Sequence, residues 1–213
     1  MRTRLPVLAL ALSLGVATPA SASTQFTFLN AGTTTAFGYF VGPYNGIQAG
    51  TGNVLLNCVD FFHSIAAGNV WQANLTSLGS GAGIGTTTRF NNLTSYRLAA
   101  YLSTQFATTT NAVDIGNIQA TIWNLFSGAK TPPSPTTNVW LTKAQAYVAA
   151  NPNSSLWNSV YVVTDVNSFN PDGSDNANSK QEFIIVTPEP ASMMLMATGL
   201  VGLGAVRLRR RRR

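Results

Sequence analysis

Cys58 is the only cysteine of the 213-residue chain, so no disulfide can form within it. It lies in the stretch LLNCVDFFH, between apolar neighbours that are typical of a buried strand. In an oxidising compartment, an unpaired thiol is either buried, joined to another chain, or chemically masked. A buried cysteine acts as a small hydrophobic side chain, whereas a masked one carries chemistry. The residue alone leaves these three alternatives open.

Three stretches of the chain resemble the thioester domains of bacterial surface adhesins: YFVGPYNG, LLNCVDF and NIQATIWNLF. In those domains a cysteine between apolar residues is followed, later in the chain, by a glutamine and a hydrophobic block, often Q-x-A-I-W. The resemblance implies an internal thioester between Cys58 and Gln119, although Thr121 stands where the family usually has Ala. It also implies that nucleophiles on exopolysaccharide or surface proteins can take the acyl group. Such chemistry suits cysteine, the strongest neutral-pH nucleophile among side chains.

Two residues near Cys58 could affect its ionisation. His63, the only histidine, follows at an odd offset, which places the two side chains on opposite faces of a regular strand. Asp60 would share the face of Cys58, and a nearby carboxylate disfavours a thiolate. We therefore expect no Cys58–His63 dyad, and we expect Asp60 to anchor a loop through hydrogen bonds.

Other catalytic and metal-binding patterns are weak. A glycosidase needs two carboxylates across a sugar cleft, and no pair of acids has a recognisable context. We therefore predict that the protein is not an enzyme and uses no cofactor. The loop NPDGSDNANS holds a weak calcium candidate in Asp172 and Asp175, with Asn178. Its glycine comes too early for the helix-loop-helix calcium signature, so a solvated turn is favoured and no metal is predicted.

The β-forming segments lie at the two ends of the body of the chain. Alternating or concentrated β-formers predict six strands, which we place at 25–30, 37–41, 53–62, 69–76, 159–165 and 181–187. The stretch between the fourth and fifth strands changes to a helical period. Strands, a helical middle and strands again predict an α+β fold class, a β-rich sandwich or barrel-like single domain over residues 23–187.

The helical middle contains three predicted helices. Apolar residues at helical spacing predict the first over 93–106 and the second over 114–128. Asp114 is the expected N-cap of the second helix and Gly128 its expected end. A third helix is expected over 142–152, because Pro152 would stop it.

The N-terminus has the pattern of a secretory signal peptide. Arg2 and Arg4 precede an apolar stretch over 5–16, which is too short to span a membrane. Ala20 and Ala22 then provide the small residues that a signal peptidase needs at its cleavage site. We therefore assign residues 1–22 to a signal peptide that directs export across the cytoplasmic membrane.

The C-terminus has three parts in order: Pro188-Glu189-Pro190, an apolar run over 191–206, and an arginine cluster. The run is about 24 Å long as a helix, a short transmembrane span. Positive residues stay on the cytoplasmic side, so six arginines orient it: Arg207, Arg209, Arg210, Arg211, Arg212 and Arg213. Residues 188–213 resemble the PEP-CTERM sorting signal of exopolysaccharide-producing Gram-negative bacteria. The resemblance implies cleavage by an exosortase, with the tail as a transient membrane anchor.

Charge within the body excludes a nucleic-acid partner. Without the basic ends the chain keeps five basic and six acidic residues, so it has no basic patch. Two function classes then remain for this cell-envelope or extracellular-matrix protein. One is an adhesin-like module that attaches covalently through Cys58 and Gln119. The other is a non-catalytic structural or carbohydrate-binding protein of the exopolysaccharide matrix, with a buried free cysteine.

Overall fold

The computed structural model describes residues 23–126 and 131–187, and the predicted signal peptide and transmembrane helix lie outside these ranges. The described chain forms eight strands and three α-helices. The strands are β1 Thr24–Asn30, β2 Thr35–Ala36, β3 Tyr39–Phe40, β4 Tyr44–Gln48, β5 Gly52–Cys58, β6 Val70–Ser77, β7 Val160–Asp165 and β8 Phe183–Val186. The helices are α1 Leu93–Gln105, α2 Ala112–Asn124 and α3 Val139–Ala150.

Six strands close into a barrel in the order β1-β4-β5-β8-β7-β6, and every pairing is antiparallel. Closure comes from the pairing of β1 with β6, which leaves none of the six strands with a free edge. The last strand, β8, lies between β5 and β7, and its Phe183 pairs with Cys58. The structure thus confirms a barrel with a helical middle segment.

Alternation along the strands separates two cores. Residues such as Phe26, Leu56 and Phe183 form one buried cluster, in which Phe26 stacks on Trp71 with ring centroids 5.6 Å apart. Their strand neighbours, including Val162 and Ile184, belong to a second cluster, which the helices share. Successive strand residues point to opposite faces, so the first cluster is the barrel interior and the second is its helix-covered wall.

The helices begin where asparagines cap them. Asn92 Oδ1 accepts a hydrogen bond from Ser95 N at the start of α1, and Asn111 Oδ1 accepts one from Val113 N at the start of α2. Each cap satisfies an amide that has no partner within the helix. The prediction that Asp114 caps the second helix is wrong, because Asp114 lies inside its first turn. Its expected end, Gly128, lies outside the described residues.

A small hairpin formed by β2 and β3 packs on α2. Its two turn residues, Phe37 and Gly38, have φ of +56° and +81°, as a tight two-residue turn requires. The strand predicted over 37–41 is therefore wrong at its start. Gly116 makes the packing possible, because a Cβ there would lie 2.6 Å from the Cβ of Ala36. The hairpin is thus held close to the helix that carries Gln119.

Two other boundaries differ from the sequence-based expectation, and one strand was missed. The strand predicted over 53–62 ends at Cys58, where Asp60 begins a turn through its own side chain. The helix predicted from 142 begins at Val139. β4 was not predicted at all, since YNGIQ is polar and contains glycine. Gly46 is needed there, because a Cβ would lie 2.6 Å from Leu56 Cδ1.

Candidate functional site

Cys58 ends β5 inside the barrel and has no solvent-exposed surface. Its thiol donates a hydrogen bond to Asp60 O at 3.2 Å. Burial and the Asp60 carboxylate raise the pKa of the Cys58 thiol to about 12, against smaller opposing effects from Trp123 and the Asp60 backbone. At neutral pH the thiol is therefore protonated. The site as described holds Cys58 as a protonated, protected thiol.

Gln119 reaches Cys58 from α2. It is fully buried, and its Nε2 donates a hydrogen bond to Cys58 O at 2.8 Å. Its Oε1 is also buried and accepts no hydrogen bond within the described residues. A buried carbonyl without a hydrogen bond lowers the stability of the fold by about 1–3 kcal/mol, and Gln119 Oε1 carries such a cost. The two residues are 61 positions apart in sequence, and the fold brings the carboxamide of one to the backbone of the other.

Aromatic rings surround this contact. Trp123 lies one helical turn after Gln119, and its side chain lowers the pKa of the Cys58 thiol, although Trp123 Nε1 has no well-aligned hydrogen-bond partner among the described residues. Burial, followed by the Cys58 charge, raises the pKa of the Tyr44 phenol above its usual value. Phe61 packs on Trp123 with centroids 5.0 Å apart. The surroundings of the contact are therefore apolar and exclude water.

Asp60 anchors the turn that follows Cys58, as expected. Its Oδ1 accepts hydrogen bonds from Phe62 N at 2.8 Å and His63 N at 3.3 Å. Its Oδ2 accepts from His63 Nδ1 at 2.7 Å and lies 3.1 Å from Arg89 Nε. Burial pushes the pKa of Asp60 upward, but the His63 hydrogen bond and the Arg89 charge outweigh it, and the net pKa is lowered. Asp60 is held as a carboxylate.

His63 does not face the sulfur. Its Nε2 lies 3.1 Å from both Arg89 Nη1 and Asp175 Oδ2, so its ring belongs to an ion cluster rather than to a cysteine dyad. The Arg89 guanidinium also pairs with Asp175 and donates to Ser179 Oγ at 2.7 Å. The absence of a Cys58–His63 hydrogen bond agrees with the sequence-based expectation. The physical reason is different, because the strand ends at Cys58 and a turn follows.

Glu182 is a buried acid that sequence reasoning missed. Its Oε1 accepts from Arg89 N at 2.7 Å and Thr164 Oγ1 at 2.6 Å, and its Oε2 accepts from Tyr96 Oη at 2.5 Å. Burial raises the pKa of Glu182 to about 7 in spite of these donors. Its backbone carbonyl accepts from Val59 N at 3.1 Å, next to Cys58. The one available signal was a lone glutamate directly before the apolar run FIIV.

The two calcium candidates, Asp172 and Asp175, make hydrogen bonds and ion pairs within the protein. Asp172 Oδ1 accepts from Ser174 N and Ser174 Oγ, and Asp175 pairs with Arg89 and His63. Within residues 23–126 and 131–187 no three acidic, histidine or cysteine side chains form a group suited to a metal ion. Asn178 N donates to Asn176 Oδ1, so the loop is closed by its own hydrogen bonds.

Residues 186–212 match the PEP-CTERM protein-sorting motif. The motif implies export, a C-terminal membrane-anchoring sorting tail, and an exosortase as processing partner. No curated protein and no solved structure gives a significant match to the chain. None of the helices in the described part is long and apolar enough to cross a membrane; the apolar run over 191–206, the sorting residues Pro188-Glu189-Pro190 and the arginine cluster lie outside that part.

The match begins at the barrel itself. Val186 is the last residue of β8, and Thr187 N donates to Ser159 O at 2.8 Å while Thr187 Oγ1 donates to the same oxygen at 3.0 Å. The matched segment therefore begins within the last strand of the folded domain. Its first residue belongs to the same strand whose other end pairs with Cys58.

Proposed function

We propose that the protein is an exported cell-envelope or matrix protein of a Gram-negative bacterium, with an adhesin-like internal thioester between Cys58 and Gln119. The barrel carries the thioester, and the tail anchors the chain at the membrane until an exosortase removes it. The acceptors are nucleophiles on exopolysaccharide or surface proteins. Each molecule reacts once and is not regenerated, so the role is attachment rather than enzymatic turnover.

The observation that carries the proposal is the hydrogen bond between Gln119 Nε2 and Cys58 O. It holds a side-chain carboxamide against the residue whose sulfur would attack it. Fixed proximity of two reacting groups replaces a collision between free molecules and lowers the entropic part of the barrier. The unpaired Gln119 Oε1 supports the same reaction, because the ground-state amide is incompletely stabilised.

The proposed reaction balances without a co-reactant. Cys58 Sγ attacks Gln119 Cδ, the C–N bond breaks, and ammonia leaves with the thiol proton. An acceptor amine then attacks the same carbon, the C–S bond breaks, and the sulfur takes up a proton to restore the thiol. The raised pKa of the Cys58 thiol makes the first step slow, whereas burial keeps water from the product.

Intact mass of the exported, purified protein tests the proposal. We expect a deficit of about 17 Da relative to the processed sequence, from the loss of ammonia, and recovery of mass on treatment with methylamine. Cys58→Ala and Gln119→Leu should each abolish the deficit. Gln105→Leu is the matched control, since Gln105 is a partly buried helical glutamine whose Nε2 donates to Thr104 Oγ1.

Two results would contradict the thioester. One is a wild-type mass equal to that of the processed sequence, with a thiol that alkylates fully on unfolding. The other is a deficit that survives Cys58→Ala. Tail removal is scored in the same spectra, because Pro188→Ala with Glu189→Ala and Pro190→Ala should leave residues 188–213 attached.

A second candidate is a non-catalytic structural or carbohydrate-binding matrix protein. The complete burial of Cys58, with its raised thiol pKa, favours it, because a plain core cysteine has these properties. In that case Cys58→Ala would leave attachment to the matrix unchanged. A loss of covalent adducts in Cys58→Ala, with the fold retained, would favour the thioester.

A further inference from the structure

We propose that the protein binds a neutral saccharide in a pocket at the end of the barrel where Cys58 lies. We call it the mouth pocket; its walls include Asn30, Tyr39, Tyr44, Phe61, Trp123 and Gln181. Its volume of about 510 Å³ lies within the range of small-molecule sites. Binding here is non-covalent and does not need the thioester, although Trp123 and Tyr44 border both the pocket and Cys58.

Exposed aromatic rings give the mouth pocket an apolar platform. Tyr39 and Phe40, on the small hairpin, are 47% and 52% exposed. Tyr39 packs edge-on against Phe61 and Trp123, with centroids 5.0 and 6.0 Å apart. Aromatic rings fixed by their neighbours offer flat contact area at a low entropic cost. A sugar ring has a flat C–H face that fits such a platform.

Uncommitted amide groups stand beside the rings. Gln181 Nε2 donates to Asp60 O and His63 O, which fixes the side chain, and within the described residues Gln181 Oε1 accepts nothing. Asn30 Oδ1 accepts from Gly32 N and Asn45 Nδ2, and the Nδ2 of Asn30 has no acceptor in the described part of the chain. One fixed acceptor and one fixed donor therefore remain for a ligand. Hydroxyl groups, which both donate and accept, satisfy the two at once.

The charge of the walls selects against ionic ligands. No Asp, Glu, Lys or Arg is among the described residues that line the mouth pocket. His63 also lines the pocket, but its Nδ1 pairs with the Asp60 carboxylate at 2.7 Å, and that carboxylate pairs in turn with Arg89 at 3.1 Å. An ammonium ion could lie over the rings, but no wall carboxylate would pair with it. An acyl chain would leave the amides of Asn30 and Gln181 unsatisfied. A neutral polyhydroxylated ring matches both the aromatic rings and the free amide groups of the pocket walls.

Binding of defined oligosaccharides tests the assignment on the exported, purified protein. The neutral probes are cellopentaose, maltopentaose and chitopentaose; spermidine and an oligogalacturonate serve as charged comparisons. We expect at least one neutral probe to bind by calorimetry and to change tryptophan fluorescence, since Trp123 lies in the wall. Tyr39→Ala should weaken binding by about tenfold, and Asn30→Ala by several-fold. Both side chains are exposed, and the circular dichroism spectrum of each variant checks that its fold is retained.

The controls separate this proposal from the thioester. Leu55→Ala, a 57% exposed apolar residue of the pocket at the opposite barrel end, should leave binding unchanged. Cys58→Ala should also bind the saccharide as tightly as wild type. A protein with the mass deficit but no saccharide binding overturns the pocket assignment alone. Saccharide binding without the deficit overturns the thioester alone.

Three outcomes overturn the mouth pocket assignment. The first is no binding of any of the three neutral probes. The second is binding that Tyr39→Ala leaves intact. The third is binding of spermidine with no neutral probe, which would make the pocket an ammonium site for a lysine-bearing protein.

Discussion

The Cys58–Gln119 contact and the ion cluster around Arg89 are neighbours that differ in how their acceptor oxygens are paired. At the contact, Gln119 Oε1 and Trp123 Nε1 are buried without hydrogen-bond partners in the described chain. In the cluster, the Asp60 carboxylate accepts from two backbone amides and from His63, beside the Arg89 guanidinium. Among the described residues Arg89 Nε makes no well-aligned hydrogen bond, but it lies 3.1 Å from the Asp60 carboxylate, which offsets its charge. Saturated polar networks stabilise a fold, whereas unsatisfied buried groups need another explanation. The cluster therefore has the properties of a stabilising network, and the contact has the unpaired amide oxygen on which the proposed thioester chemistry rests.

Arg89→Ala should produce the largest loss of stability. It removes the positive charge from the buried Asp60 and from Asp175, and a buried pair broken on one side costs about 3–5 kcal/mol. Denaturant unfolding measures the effect. Arg97→Ala is the control, since its guanidinium lies over the Trp157 ring at 5.5 Å and should cost about 1 kcal/mol or less. Equal costs for the two variants would show that the cluster stabilises the fold no more than a single cation–π contact does.

Glu182→Gln should change how stability depends on pH. The pKa of Glu182 is raised from 4.5 to about 7, so the folded protein holds this proton more tightly than the unfolded chain. Its contribution is therefore fully present below about pH 4.5 and is lost as pH rises through 7. Relative to wild type, Glu182→Gln should gain about 3 kcal/mol between pH 4 and pH 8. A constant difference across that range would contradict a raised pKa.

Gln119→Leu should cost less stability than Arg89→Ala. Both proteins are compared in the Cys58→Ala background, so that no thioester contributes. The substitution removes the hydrogen bond to the residue-58 carbonyl, but it also removes the unpaired Oε1. The balance is a loss of about 1–2 kcal/mol in the free energy of unfolding. A loss as large as that of Arg89→Ala would mean that Gln119 is chiefly a structural residue.

Gly116→Ala should have the smallest effect on stability. Alanine favours the helix by about 1 kcal/mol, which offsets the clash of its Cβ with the Ala36 Cβ at 2.6 Å. The hairpin that bears Tyr39 must move away. When Gly116→Ala is added to Gln119→Leu, we expect alkylation of the Cys58 thiol to become several-fold faster than in Gln119→Leu alone. Mass spectrometry measures the alkylation rate. Val113→Ala, an exposed change on the same helix, is the control. An unchanged rate would show that the hairpin does not cover the contact.

Local pattern was enough to predict much of the fold. The spacing of apolar residues correctly placed α1 and α2, and alternation placed β1, β6, β7 and β8. β4 could not be predicted from the sequence, because its Gly46 is explained only by the close packing of Leu56 in the folded barrel. Closure by β1 and β6 was likewise invisible, since it pairs Phe26 with Trp71 across a long stretch of chain.

The candidate site, like the fold, could be predicted only in part from the sequence. The adjacency of Cys58 and Gln119 was expected from a resemblance, and the hydrogen bond between them is compatible with it. The Arg89–Glu182 hydrogen bond joins residues 93 positions apart, with no motif around either. Hydrogen-bond partners at such separations are set by the topology of the fold, which a single sequence does not display.

The position of β8 has a mechanical consequence. Any pull on the chain beyond Thr187 enters the domain at Val186 and runs along a strand that is bonded to β5 on one side and β7 on the other. Force directed along a strand loads its ladder bonds together instead of one after another. β8 spans only about 13 Å. Tension from the cell side therefore reaches the Cys58 end through a short strand that is hydrogen-bonded on both sides. A domain attached at both ends would thus resist shear as a single rigid coupling.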